Sequence, residues 1–105
     1  MLKFNDTNFE EEVLKHKGVA VVEFKTQWCT VCRKVTPLLE EVSEEYSEKI
    51  KSGQVDAGEN IKIAMDFGVV SVPQVLIFKS GKVLDRIIGV FGKETIKKKI
   101  KEAIK

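Results

Sequence analysis

The sequence predicts an α/β protein, a sheet with helices on both faces and an antiparallel hairpin at one end. Three observations carry this expectation. Strand-like apolar runs alternate with helix-like stretches in the order β-α-β-α-β-α-β-β-α. Val19–Phe24 is β-branched and nearly all apolar, the composition of a strand covered on both faces. Gln74–Phe78 and Val83–Ile88 flank Lys79-Ser80-Gly81-Lys82, with glycine placed for a hairpin turn. The length of 105 residues suits one domain, residues 1–105.

Each element follows from its own pattern. Leu2–Phe4 reads as a short first strand. Thr7 followed by Glu10 fits a capping box, opening a helix with Phe9, Val13 and Leu14 inward that ends near Gly18. After the strand Val19–Phe24, a second helix is expected to start at Cys29. Its positions Cys32, Val35, Leu39, Val42 and Tyr46 recur at spacings of three and four, with glutamates on the opposite face. Pro37 lies inside this helix and is expected to kink it. A third strand is expected over Lys51–Val55, and a short helix over Asn60–Phe67 closed by Gly68. Lys93–Lys105 is a final amphipathic helix with Ile96, Ile100, Ala103 and Ile104 inward, and Lys97, Lys98, Lys99 and Lys101 form its solvated face.

Composition narrows the function classes. The chain is 43% hydrophobic and 32% charged, an ordinary globular balance, so a modest core is expected. A net charge of +2 is too small to predict nucleic acid as a partner. The start, Met1-Leu2-Lys3-Phe4-Asn5-Asp6, has no signal-like apolar stretch, and no apolar run is long enough to span a bilayer. A cytoplasmic protein without membrane partners is expected.

The chain has two cysteines, three positions apart. A disulfide between them closes a tiny loop and stabilises a fold little, so the pair reads as chemistry rather than as a staple. Zinc needs about four ligands, and one chain adds only the distant His16, although a dimer can pool two pairs. Inert core cysteines fit poorly beside a strand-to-helix turn. At the expected helix N-terminus, unpaired N–H groups and the helix dipole favour an anion, lowering the pKa of Cys29 from the free value of about 8.5. Arg33 and Lys34 add positive charge. Cys32, one turn on, points back into the protein and can reach Cys29. The scheme is attack by Cys29, a mixed disulfide, and resolution by Cys32.

Trp28-Cys29-Thr30-Val31-Cys32-Arg33, Pro37 in the following helix, and Val72-Pro73 before a strand together resemble thioredoxins. The resemblance covers essentially the whole chain, extending to Phe24, the hairpin and Gly89. It implies a thioredoxin fold, a central five-stranded mixed sheet flanked by four helices, and reduction of protein disulfides. It further implies that Pro73 is a cis-proline packed by the cysteine pair, and that the backbone of Val72 pairs with an incoming peptide like an added strand. Trp28, Val72, Pro73, Gly89 and Val90 then form an apolar docking surface. On residue pattern alone, Trp28 also fits a half-buried core aromatic, and Gly89 a bulge or turn residue without substrate contact.

Several positions depart from the family pattern. Thr30-Val31 stands where most thioredoxins have Gly-Pro, a dipeptide that tunes the reduction potential. Glu23 stands where the family has a buried aspartate, and that place implies a proton acceptor for Cys32, directly or through water. The alternation of Val21, Glu23 and Lys25 with Ala20, Val22 and Phe24 also fits a solvated strand-edge charge. Gln54 replaces a lysine common near that aspartate, and Lys25 a frequent aromatic. Val72-Pro73-Gln74-Val75 is closer to the glutaredoxin loop, yet the glutaredoxin Gly-Gly motif is absent and Trp28 is foreign to that family.

The expected protein is therefore a monomeric thiol-disulfide oxidoreductase with no bound cofactor beyond its reversible Cys29–Cys32 disulfide. Thioredoxin reductase is its expected electron source, and disulfide-containing client proteins are its substrates. The alternatives are a glutathione-coupled or dedicated redox partner of one enzyme, or a binding module with incidental cysteines.

Overall fold

A computed structural model describes all 105 residues. Five strands, β1 (Leu2–Phe4), β2 (Val19–Lys25), β3 (Ile50–Asp56), β4 (Gln74–Lys79) and β5 (Lys82–Ile88), form one sheet in the order β1-β3-β2-β4-β5. β1 and β2 both run parallel to β3, while β4 is antiparallel to β2 and β5 to β4. The helical segments are α1 (Glu10–Leu14), α2 (Cys32–Glu45), α3 (Ile61–Asp66) and α4 (Lys93–Ala103). This is the mixed five-stranded sheet with four helices that the thioredoxin resemblance implies.

Being central, β2 is buried from Val19 to Phe24, and its period of two divides the core. Ala20, Val22 and Phe24 join Phe4, Phe9, Val13, Ile63, Leu76 and Phe78 on the face covered by α1 and α3. There Phe9 and Phe67 each meet Phe78 edge-on, with ring centroids 5.8 and 5.3 Å apart. Val19 and Val21 join Val35, Leu39, Val42, Val75, Ile77, Ile96 and Ile100 under α2 and α4. The next residue in that second set is Glu23, so the alternation carries a carboxylate beneath α2.

Two helix starts differ from the sequence expectation. No Thr7–Glu10 capping box forms. Instead Asn5 accepts the N–H groups of Thr7 and Asn8 at 2.8 and 2.9 Å, and Asn8 accepts the N–H of Asn5 at 2.8 Å. The amide side chains satisfy the free donors earlier in the chain than the hydroxyl would. The segment then winds as a π-helix, with the Lys15 N–H bonded to the Glu10 carbonyl at 2.9 Å, and stops at Leu14, well before Gly18. α2 begins at Cys32 rather than Cys29, and it continues through Pro37 without ending.

The lysine-rich face of α4 is partly pinned rather than wholly solvated. Lys93 and Lys97 pair with Glu41 and Glu45 of α2, and Lys99 pairs with Asp85 of β5 at 2.8 Å. Such surface pairs each contribute at most about 1 kcal/mol, so the apolar side of α4 sets its position.

The hairpin turn is held against α1. Ser80 and Gly81 both have positive φ, at 51° and 81°, the signature of a tight two-residue turn. A Cβ on Gly81 would overlap the carbonyl oxygen of Leu14, whereas Gly68, with φ 66°, has open space around it. Gly68→Ala therefore tests backbone strain alone and should lower unfolding stability by about 1 kcal/mol. Gly81→Ala adds a backbone overlap and should cost about 3 kcal/mol or more in urea denaturation. Equal losses would show that the Leu14 contact relaxes freely.

Candidate active site

The site lies where β2 ends. Phe24 of β2 pairs with Gln74 of β4, which pairs with Ile88 of β5, so Lys25, Pro73 and Gly89 come to the same end of the sheet. From Lys25 the chain turns through Thr26-Gln27-Trp28, and the Cys29 N–H donates to the Thr26 carbonyl at 3.3 Å. Thr30 and Val31 complete the turn into α2.

Cys29 and Cys32 are joined by a disulfide, with Cα atoms 5.3 Å apart. Their environments differ: Cys32 is 3% exposed, while Cys29 is half-buried at the rim. The Cys32 N–H donates to Cys29 Sγ at 3.0 Å, and the Arg33 N–H donates to the Thr30 carbonyl at 3.2 Å. The sulfur of Cys29 thus takes the place a side-chain oxygen takes at a capped helix, accepting an otherwise free N–H. A thiolate formed there on reduction meets the positive end of the α2 dipole. The later helix start leaves Cys29 outside α2, two residues before the N-cap Val31, with its sulfur still accepting the Cys32 N–H.

The disulfide opens on a hollow lined by Lys25, Thr26, Gln27, Arg33, Thr36 and Asp56, together with Pro37. Trp28 does not line this hollow and stands 84% exposed, so the reading of it as a half-buried core aromatic is wrong. Its indole follows a turn, not a strand, and no helix packs over it.

Glu23 is fully buried in the middle strand, which excludes a solvated edge charge. Its two oxygens have separate donors. Thr36 Oγ1 donates to Oε2 at 2.7 Å, and Gln54 Nε2 donates to Oε1 at 3.2 Å. Desolvation raises the Glu23 pKa above its ordinary 4.5. Donation from Thr36, the charge of Lys25 and donation from Gln54 oppose that rise without cancelling it. Glu23 does not line the hollow itself; Thr36 does, and bridges the two.

The Val72–Pro73 peptide is cis, Pro73 is buried, and Val72 is half-buried. The Gly89 N–H donates to the Pro73 carbonyl at 2.9 Å, tying the end of β5 to this loop. Gln74 is buried, its amide donating to the Ser71 carbonyl at 3.0 Å and accepting from Arg86 Nη1 at 2.9 Å. Arg86 also donates to the Phe67 carbonyl, so one guanidinium fastens the loop to the end of α3. Val90 and Ile88 are exposed nearby in sequence, as is Val70. Sequence reasoning missed Thr36 and Arg86. Thr36 was legible as the residue one helical turn after Cys32, on the same face; Arg86 carried no local signal.

A reachable sulfur bonded to a buried one, at the start of a helix fed by a central strand, is the arrangement of a thiol-disulfide oxidoreductase. Comparison with known proteins gives the family. The thioredoxin family model matches residues 1–102. Thioredoxin of Buchnera aphidicola from Schizaphis graminum is 35% identical over 105 residues, covering 100% of this chain and 97% of that protein. Thioredoxin of Rickettsia bellii is 37% identical over 91 residues, covering 87% of each. Thioredoxin 1 of Synechococcus elongatus is 35% identical over 91 residues, covering 87% of this chain and 85% of that protein. The chain belongs to the thioredoxin family of disulfide oxidoreductases.

Burial of Glu23 has a measurable consequence for stability. Its folded pKa is raised, so the folded state holds the proton more tightly than the unfolded chain. Stability from this group is therefore lost as pH rises from 4.5 through the folded value, and stays lost above it. Glu23→Gln removes the titration. The stability of the variant relative to the native chain should increase with pH across that window and then level off, as read from urea denaturation at successive pH values. A pH-independent difference would contradict a buried, upward-shifted carboxyl.

Proposed function

We propose that this chain, acting as a single monomeric domain in the cytoplasm, is a general reductant of protein disulfides recharged by thioredoxin reductase. The observation that supports this best is the asymmetry of the pair, Cys29 at the rim accepting a helix N–H and Cys32 buried behind it. In the reduced form the Cys29 thiolate attacks a client disulfide, forming a mixed disulfide and releasing the first client sulfur as a thiolate. Cys32 then gives its proton to Glu23, directly or through water, and its sulfur attacks Cys29. The Cys29–Cys32 bond forms, the mixed disulfide breaks, and the second client sulfur leaves. Two electrons have passed to the client.

Trp28, Val72, Pro73 and Gly89 serve as the docking surface in this reading. The edge at Val72 receives an extended client segment through main-chain hydrogen bonds, and exposed Trp28 and Val90 supply apolar contact. Thr30, Val31 and Arg33 tune the pair: two exposed β-branched residues occupy its turn, and Arg33 lines the hollow beside the sulfurs. Glutathione-coupled recharging is the competing reading. Against it, the Gln74 side chain is committed to Ser71 and Arg86 and is not free to bind a tripeptide.

Two assays test the proposal together. Cys32→Ser should accumulate covalent mixed disulfides with client proteins through Cys29 after an oxidising challenge, and Cys29→Ser should not. In insulin reduction, thioredoxin reductase with NADPH should sustain turnover, and glutathione alone should not. Turnover with glutathione only would replace the general-reductant reading with the glutathione-coupled one, and absence of any trapped species would remove the exchange mechanism.

A further inference from the structure

The Thr36 hydroxyl has one hydrogen and two acceptors within reach, Glu23 Oε2 at 2.7 Å and the Cys32 carbonyl oxygen at 3.1 Å. Which acceptor receives it depends on Glu23. An ionised carboxylate is the stronger and nearer acceptor, so it takes the hydrogen. On protonation, the position of the new hydrogen is set by Gln54. Its amide N–H group already points at Oε1, which must remain an acceptor, so the proton belongs on Oε2, facing Thr36. Glu23 then becomes the donor to Thr36 Oγ1, and the hydroxyl hydrogen turns to the Cys32 carbonyl.

We propose that Thr36 is a positioning residue that transmits the protonation state of Glu23 to the backbone of the resolving cysteine, by reversing the direction of the chain Glu23–Thr36–Cys32. Apart from the O–H bond that the entering proton forms at Glu23 Oε2, only hydrogen bonds change. In turnover that proton is the one leaving the Cys32 thiol, and in the oxidised protein at rest it comes from solvent. The proposal deepens the reading of Glu23 as proton acceptor and rests on it for its role in turnover. As Glu23 takes the proton of Cys32, the hydrogen bond to the Cys32 carbonyl forms at the residue whose sulfur is attacking. Release of that proton restores the starting direction. Gln54 contributes by marking which oxygen is protonated.

Other charged groups near Glu23 are Lys25 on its own strand and Glu40 on α2, with Arg33 of α2 and Asp56 of β3 lining the adjoining hollow. Its direct partners across the sheet, Gln54 on β3 and Val75 on β4, are uncharged. A signal that follows Glu23 must therefore be separated from signals of those four side chains.

The test uses uniformly ¹³C,¹⁵N-labelled oxidised protein, following the Glu23 carboxyl carbon and the Cys32 carbonyl carbon by NMR across pH. The native chain should show a step in the Cys32 carbonyl shift with the same midpoint as the Glu23 carboxyl. Thr36→Val, similar in shape but without a hydroxyl, should move the Glu23 midpoint upward and abolish the Cys32 step. Thr36→Ser should restore both. In Glu23→Gln the step should also vanish, a check that holds even if the valine variant folds poorly. A Cys32 carbonyl without a step in the native chain, or a step that survives in Thr36→Val or Glu23→Gln, would overturn the proposal. Because the oxidised protein is measured at rest, this outcome is independent of whether Glu23 receives the proton of Cys32 during turnover.

Discussion

The middle strand of the sheet is buried along both faces, and every feature of the site is referred to it. Six consecutive residues, Val19 to Phe24, are buried there, with strands paired on both sides and helices above and below. A strand in that position cannot shift by one residue without sending its whole apolar set to the opposite core and Glu23 to the wrong side. The register is therefore fixed by hydrophobic burial on the scale of a whole core, far more than any single contact at the site supplies. That fixed register does two things at once. It holds Glu23 beneath α2, and it delivers the chain from Lys25 to the turn where Cys29 Sγ accepts the N–H of Cys32, the first residue of the helix.

The carboxylate is the costly part of this arrangement. A buried charge with no partner is unfavourable by several kcal/mol, and here two neutral donors offset only part of that cost. Thr36 and Gln54 each take one oxygen, and the charge of Lys25 favours the ionised form. The result is a group whose proton is held more tightly than in water, linked through the Thr36 hydroxyl to the backbone of Cys32. Under the proposed exchange, stability is given up at the position that takes the proton, a pattern common at sites of chemistry.

Much of the fold was legible in the sequence because it is written in local patterns. Alternating blocks gave the order of elements, Ser80-Gly81 gave the hairpin, and the spacing from Cys32 to Tyr46 gave α2. The errors lie where two local signals compete or where the deciding contact is distant. Asn5 and Asn8 won the first helix cap over Thr7 and Glu10, because each side-chain oxygen accepts the other residue's backbone N–H. Within β2 the alternation was visible, but whether Glu23 faced water or a helix depended on what covers the strand. For Trp28 the exposure depended on a turn that no periodicity describes. At the site, Cys29, Cys32 and Pro73 stood out by type and spacing. Helix spacing alone places Thr36 one turn after Cys32, but its importance shows only once Glu23 is known to lie below it.

The central claim is that Cys29 and Cys32 act as one two-electron redox couple. The most direct measurement is a redox titration of the purified protein in thiol–disulfide buffers of graded potential, with acid quenching, alkylation and mass analysis of each point. The account predicts a single transition in which both cysteines change state together, from doubly alkylated to unalkylated monomer, with no significant singly alkylated form. Two separate transitions, stable singly alkylated protein, or oxidation only to disulfide-linked dimers would contradict it.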